Sequence, residues 1–356
     1  MPAPETLSWS APSTTPAEIE AALRRLLIRC HDQAGACIPA RVLNLICVVD
    51  RTMSGAIAQR LTQAGRYHAS RTILCAVEPG RRTIGAVAAL GIAFPRPRGD
   101  FALLRESITL EIGERHLPHL DTIVDPLVVS DLPTVLWCAQ AHEEAVRALL
   151  PLTQAVLLDS SDVTDALDAL DRARKLLRTV EVVDLAWLRS TPWRERIAAA
   201  FDLPHRRREL PGLSAVTVRH HADSAVAGLL LLGWLGSRLR WHMEALRGDA
   251  QALSGDAWGA AGAIRLTLMS DEHQPVRGLA GVALETRSGW RFSLDRGPGG
   301  LHAAEREPGG RQRSWTVLGA SRGEPGILGD GIRHALLRDH AFGAAAREAV
   351  RLAGAA

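Results

Sequence analysis

Lysine is almost missing from this chain: of 42 basic side chains only Lys175 is an ammonium and the rest are arginines, against 39 Asp and Glu. The resulting formal charge of +3 over 356 residues is too small to mark a polyanion-binding face, which needs clustered positive charge. Nucleic acid is therefore not an expected partner. No apolar run approaches the roughly 20 residues that cross a bilayer. The strongest, Ala225–Gly236, runs into Arg238 and Arg240 and predicts a buried helix, with no membrane partner. The five cysteines, Cys30, Cys37, Cys47, Cys75 and Cys138, show no C-x-x-C spacing. Several sit in apolar runs, where a thiol acts as a small hydrophobe, which points to a reducing, cytoplasmic compartment. Residues Met1–Ala17 carry four prolines but neither the positive segment nor the apolar core of a secretory signal, and residues 1–16 read as a disordered leader.

Phosphate-binding glycines are missing as well. No G-x-x-x-x-G-K-[ST] occurs, and the turn after the first central strand is Asp50-Arg51-Thr52-Met53, without the glycines that let backbone N–H groups approach a pyrophosphate. This disfavours the usual nucleotide folds, and no cofactor is expected.

What is present is an ordinary globular composition, 47% hydrophobic and 23% charged, long enough for two domains. Pro16–Cys30 has helical spacing, with Ile19, Ala22, Leu23, Leu26 and Leu27 on one face. Arg41–Asp50 and Arg71–Glu78 are continuous apolar runs that suit buried parallel strands, and Thr52–Ala64 supplies the helix between them. Residues 79–100 read as an irregular excursion, followed by a strand over Ser107–Ile112. Arg115–Val129 predicts one helix despite Pro126. Thr134–Ala139 and Ala155–Asp159 are further strands around a helix over Glu143–Leu150, and Ser161 is placed to cap another helix at Asp162. After Val180 come paired helices, Asp184–Ser190 and Pro192–Phe201, then a strand over Ala215–His220. Short alternating runs at Ala263–Met269, Leu279–Thr286, Trp290–Asp295 and Ser314–Leu318 predict an antiparallel meander, closed by a helix over Ile327–Arg351. The expected architecture is an α/β N-terminal domain over residues 17–175 with a mixed, partly parallel sheet. An α+β C-terminal domain with antiparallel strands and a closing helix follows over residues 176–356.

Catalytic motifs are weak. Gly319-Ala320-Ser321-Arg322-Gly323 matches G-x-S-x-G between a strand and a helix, but few residues follow Ser321 to deliver an acid and a base. His116-x-x-His119 has no third ligand nearby and Pro118 between its histidines, so no metal site is expected. The aspartates at 162, 165, 168 and 171 drift around a helix face, and His205-Arg206-Arg207-Arg208 is the densest basic run. Nine tryptophans against five phenylalanines and one tyrosine are the unusual feature. Trp187 with Arg189, and Trp193 with Arg194, set indoles beside guanidiniums, the two types enriched at interface anchor points. They are equally ordinary core aromatics. His68, Ser70 and Arg71 gather at the amino edge of the predicted sheet, opposite the carboxyl edge where α/β enzymes place their sites.

Six local strings then become informative together: Arg41-Val-Leu-Asn-Leu-Ile46, His68-Ala-Ser-Arg71, Asp131-Leu-Pro-Thr-Val-Leu-Trp137, Leu158-Asp-Ser160, Asp184-Leu-Ala-Trp-Leu-Arg189 with Trp193-Arg194, and Gly233-Trp-Leu-Gly-Ser-Arg238. In this order and at similar intervals they resemble the glucose-6-phosphate dehydrogenase assembly proteins, the OpcA family, over Arg41–Trp241 and more loosely to the end. Two departures are Ala69, where that family often has proline, and Cys138, where it often has a second tryptophan. The resemblance implies a non-enzymatic protein that binds glucose-6-phosphate dehydrogenase, promotes its active oligomer and so supports NADPH production in the oxidative pentose phosphate pathway. It brings no catalytic residues, and leaves Trp187, Arg189, Trp193, Arg194, His68, Ser70 and Arg71 as candidate partner contacts. The rival class is an enzyme: a Ser321 hydrolase, or a sugar-phosphate enzyme using His68, Ser70 and Arg71.

Overall fold

The computed structural model describes residues 6–34, 37–65, 69–92, 102–318, 323–337 and 339–354. The chain folds into two compact units, one holding residues 1–158, 180–182 and 328–337 and the other residues 159–179, 183–327 and 338–356. As expected, the first carries an α/β layer with parallel strands and the second combines helices with a largely antiparallel sheet.

In the first unit, β1 (Leu7–Ala11), α1 (Pro16–Ala34), β2 (Cys37–Pro39), β3 (Leu43–Asp50), α2 (Ser54–Ala64), β4 (Ser70–Val77), β5 (Gly85–Ile92) and β6 (Ala102–Ile112) come first. Then follow α3 (Leu120–Val124), β7 (Thr134–Trp137), α4 (Glu143–Leu149) and β8 (Ala155–Leu158). Strands β3 and β4 pair in parallel and are buried almost throughout, which is why both read as unbroken apolar runs rather than alternating ones. The sheet order is β1-β5-β6-β4-β3-β7-β8, extended by β9 (Glu181–Asp184), with β2 on β6.

Several expectations are corrected here. Leu7–Ala11 is an edge strand antiparallel to β5, so this part of the supposed leader is ordered. Residues 85–92 form β5, antiparallel to β6; the Ala- and Gly-rich segment has poor strand propensity, and pairing supplies what propensity lacks. Residues 114–127 are short helical turns rather than one helix, because Pro118 and Pro126 cannot donate backbone hydrogen bonds. From β6 through β4, β3, β7 and β8 to β9 the strand order is that of a doubly wound nucleotide fold, contrary to the sequence expectation. Cys47, Cys75 and Cys138 are buried free thiols, and burial pushes Cys75 up to about 12; Cys30 differs, being disulfide-bonded.

The second unit contains α5 (Ala166–Leu176), α6 (Leu185–Arg189), α7 (Thr191–Ala200), α8 (Pro204–Arg207), β10 (Leu213–His221) and α9 (Ala225–Leu239). It continues with β11 (His242–Met243), β12 (Arg247–Gly248), β13 (Ala252–Gly259), β14 (Gly262–Asp271), β15 (Leu279–Thr286), β16 (Arg291–Gly297), β17 (Gly300–Arg306) and β18 (Gln312–Leu318). The last helices of the chain are α10 (Gly323–Ala335) and α11 (His340–Leu352). Asp165, not Ser161, caps α5, accepting from Leu167 N at 2.8 Å and Asp168 N at 3.0 Å. The closing helix is broken in two, with Asp339 capping α11. The sheet runs β11-β13-β14-β10-β15-β16-β17-β18, antiparallel except for the β10–β14 pair. Helix α9 lies on one face, where a Cβ on Gly228 would come within 2.3 Å of Leu268. Its Gly233 lets α11 approach so closely that a Cβ there would sit 2.3 Å from Ala345 O and 2.8 Å from Ala349 N.

Candidate functional site

Four of the sequence-selected residues gather around α6 and α7. Asp184 ends β9 and accepts Ala186 N at 2.9 Å, starting α6. Trp187, fully buried, donates Nε1–H to Asp339 Oδ2 at 2.7 Å and packs against Phe342 at 5.8 Å between ring centroids. The Arg194 guanidinium lies 3.4 Å over the Trp187 ring. It also donates to Thr191 Oγ1 at 2.8 Å, to Ser190 Oγ at 3.1 Å and to Trp187 O at 3.2 Å. A cation stacked on an indole and hydrogen-bonded at its edge is held in a fixed geometry. Burial lowers Arg194 to about 10, so it stays charged at any physiological pH. Trp193 is buried too, with Arg296 5.9 Å over its ring. Arg189 pairs bidentately with Asp159, at 2.9 and 2.6 Å. The indoles thus form a buried frame, and the half-buried Arg189 and Arg194 are the parts nearest solvent.

Beneath this frame Asp184 is fully buried, and Oδ1 accepts Ser160 N at 3.2 Å as well as Ala186 N. Burial first, and the neighbouring Asp159 charge second, push its carboxyl up to about 6 against the pull of those hydrogen bonds. Sequence reasoning missed Asp184 as a titrating group; its only local signal is its position before an apolar run, which is an N-cap signature.

The amino-edge residues behave differently. Arg71 is buried, donating to Glu106 Oε2 at 2.8 Å and Leu127 O at 2.9 Å, and it also pairs with Glu20. Glu106, 2% exposed, bonds Arg41 through its other oxygen. Ser70 is buried, its hydroxyl 3.2 Å from Thr72 Oγ1. Ser70 and Arg71 are thus tied into the sheet edge, and of this network's donors Arg41 is the more open, its side chain 27% exposed. His68 and Ser321 lie outside the described residues. Within the basic run at 205–208, Arg206 is buried, with Nη2 2.9 Å from Glu307 and a second pair to Glu305. His116 Nδ1 accepts Gly113 N at 3.0 Å, and no group of three potential metal ligands occurs among the described residues.

A doubly wound sheet directs attention to its carboxyl edge, at the switch point between β3 and β7. There Asp50-Arg51-Thr52-Met53-Ser54-Gly55 occupies the place of a G-x-G-x-x-G turn and keeps only its third glycine. Asp50 N donates to Gln140 Oε1 at 2.6 Å, Gln140 Nε2 donates to Asp50 Oδ2 at 3.1 Å, and His142 Nε2 stands 3.2 Å from Asp50 Oδ1. Side chains therefore bridge the strand ends, and a carboxylate stands where a pyrophosphate would have to approach. The residues present do not fit a dinucleotide.

Two family models match the chain. One describes the N-terminal domain of a glucose-6-phosphate dehydrogenase subunit and covers residues 61–175; the other describes the C-terminal domain of the same protein and covers residues 180–346. A protein of Nostoc punctiforme named OxPP cycle protein OpcA is 31% identical over 140 residues, 38% of this chain and 30% of that protein. Its namesake from Synechococcus elongatus is 27% identical over 172 residues, 47% of this chain and 39% of that protein. The matched stretches thus span about a third of the length of these relatives. Among solved structures, apo scyllo-inositol dehydrogenase from Lactobacillus casei aligns with a TM-score of 0.46 and 8% identity, covering 89% of this chain and 97% of that one. That likeness is too distant to carry an argument.

Proposed function

Because this chain belongs to the OpcA family of glucose-6-phosphate dehydrogenase assembly proteins, we propose that it is a non-enzymatic assembly factor and allosteric activator of that enzyme. It binds glucose-6-phosphate dehydrogenase in the cytoplasm, promotes its active oligomer and thereby raises NADPH production in the oxidative pentose phosphate pathway. The observation that carries this reading is the match of both family models, one after the other, along most of the chain. The closed switch point adds support, since the edge at which a doubly wound sheet does chemistry is bridged by Asp50, Gln140 and His142. An activator without chemistry of its own must bind the active oligomer more tightly than the inactive form, because only differential affinity shifts an equilibrium.

For the contact surface, α6 and α7 are the favoured candidates. Arg189 and Arg194 are half-buried beside the exposed Glu195 and Arg196, Arg189 held by Asp159 and Arg194 stacked on Trp187. The test is the steady-state rate of the same organism's glucose-6-phosphate dehydrogenase titrated with this protein, with co-elution on a sizing column. Saturable activation with co-elution is expected. The absence of both activation and co-elution would overturn the proposal.

A further inference from the structure

The β10–β18 sheet of the second unit has two unlike faces. Val216, Val218, Leu266, Leu268, Val282 and Leu284 point to the face on which α9 lies. On the opposite face, strand register sets Ser254, Thr267, Thr217, Ala283, Ser293, Ala304 and Ser314 side by side across seven strands. Each of these residues is at least partly open to solvent. On the same face Arg265 and Arg291 are 60% and 56% exposed, and Trp258 and Met269 stand out at 41% and 38%. None of the described helices of the second unit is seen to cover it.

We propose that this open sheet face is a homodimer interface, its occupant the same face of a second copy of the chain. The charges argue for self-recognition. Consider a two-fold axis lying in the interface along the row of small residues. It places the residues on one side of the row opposite those on the other side of the row in the second copy, strand against like strand. Arg291 on β16 then meets the second copy's Asp295, also on β16. Glu285 on β15 meets the second copy's Gly281, and over that glycine lies the Arg219 guanidinium, so close that a Cβ at 281 would sit 2.4 Å from Arg219 Nη2. On these two strands the new oppositions join an acid to a base, while on β17 the same axis sets the exposed His302 against the second copy's exposed Arg306. The existing bridges Glu285–Arg291 and Arg219–Asp295 would close into alternating rings rather than be broken.

The size is sufficient too. Seven strands at about 4.8 Å spacing and three side-chain rows at about 6.7 Å along the strands give a face of about 34 by 20 Å. Two such faces would bury about 1,400 Å², within the range of specific protein–protein interfaces. Small side chains along the middle let the two sheets approach to the usual packing distance of about 10 Å. An isologous contact of this kind closes on itself and leads to no further assembly. The inference goes beyond the proposed function and does not depend on it.

Sedimentation velocity of the purified full chain at about 20 µM decides the matter. A dimer is expected for the wild type and for Ser293→Ala, and a monomer for Ser293→Arg, which drives a charged side chain into the centre of the contact. Ala304→Arg on the neighbouring strand should act in the same way and replaces Ser293→Arg if that variant melts abnormally. A monomeric wild type overturns the proposal, as does an Arg variant that stays dimeric. Activation of glucose-6-phosphate dehydrogenase, measured in parallel, separates the two readings. A monomeric wild type whose activation is lost on Ser293→Arg would assign the face to the enzyme and refute the second copy as occupant. A dimer without activation would leave the interface standing and remove only the activator reading.

Discussion

Asp184→Asn should make the second unit more stable above pH 6 and leave it unchanged near pH 4. Burial and the Asp159 charge raise the Asp184 carboxyl from an ordinary 3.8 to about 6. The folded state therefore binds the proton more tightly than the unfolded chain, and stability falls as pH rises through the window between those values. An offset of about two pH units corresponds to about 3 kcal/mol once the group is ionised. Asparagine keeps the Oδ1 acceptor for Ser160 N and Ala186 N, so the cap on α6 survives while the buried charge does not. At about 2–4 °C per kcal/mol for a unit of this size, the variant should melt about 6–12 °C higher at pH 8. Thermal melts of both proteins at pH 4, 6 and 8 give the comparison directly. An asparagine variant that melts lower than the wild type at pH 8, with the difference vanishing at pH 4, would refute the reasoning: it would mean that the ionised carboxylate is favourably paired in the fold.

Two further substitutions probe the packing and the ion-pair network. Gly233→Ala should destabilise the second unit by about 3 kcal/mol, the upper end for overpacking, because the added methyl meets the α11 backbone at Ala345 and Ala349 rather than a yielding side chain; a urea titration with an unchanged midpoint would show that α9 and α11 separate freely. Glu106→Gln should cost about 3 kcal/mol or more, since it leaves the buried Arg71 and its neighbour Arg41 without their shared carboxylate, and a loss under about 0.5 kcal/mol in the same assay would demote that network to a surface-like pair.

Much of the fold was readable where burial is uniform. The runs at 43–50 and 70–77 are largely apolar because both faces of β3 and β4 are covered, and their short length and Val and Ile content separate them from the longer, Leu-rich run that forms α9. The signal failed where pairing rather than side-chain pattern makes the strand. β5 is built from alanine and glycine, and β13 and β17 from small and charged residues, so none announced itself. The strand order was hidden for a related reason: it depends on long-range pairing, while the glycine turn that usually advertises it has become Asp50-Arg51-Thr52. At the α6–α7 frame, the composition showed the indole–guanidinium pairing but not its direction. Trp187 turns inward because Asp339, about 150 residues away, receives its N–H, and no local spacing encodes that partner. Arg71 likewise read as an edge residue and is one, but Glu20, Glu106 and Leu127 turn it into a structural clamp.

The lone lysine has a practical consequence. Lys175 stands on the last turn of α5, 70% exposed and paired to Asp171 at the surface, in a chain whose other side-chain cations are guanidiniums that do not acylate under ordinary conditions. Apart from a terminal amine, an amine-directed dye or crosslinker would therefore modify one position in the fold, giving a side-chain probe at a known site without any engineered cysteine. A fluorescence-transfer signal from that label to a labelled dehydrogenase would report the distance from α5 alone, and an amine-to-carboxyl crosslink would name the partner residue beside it.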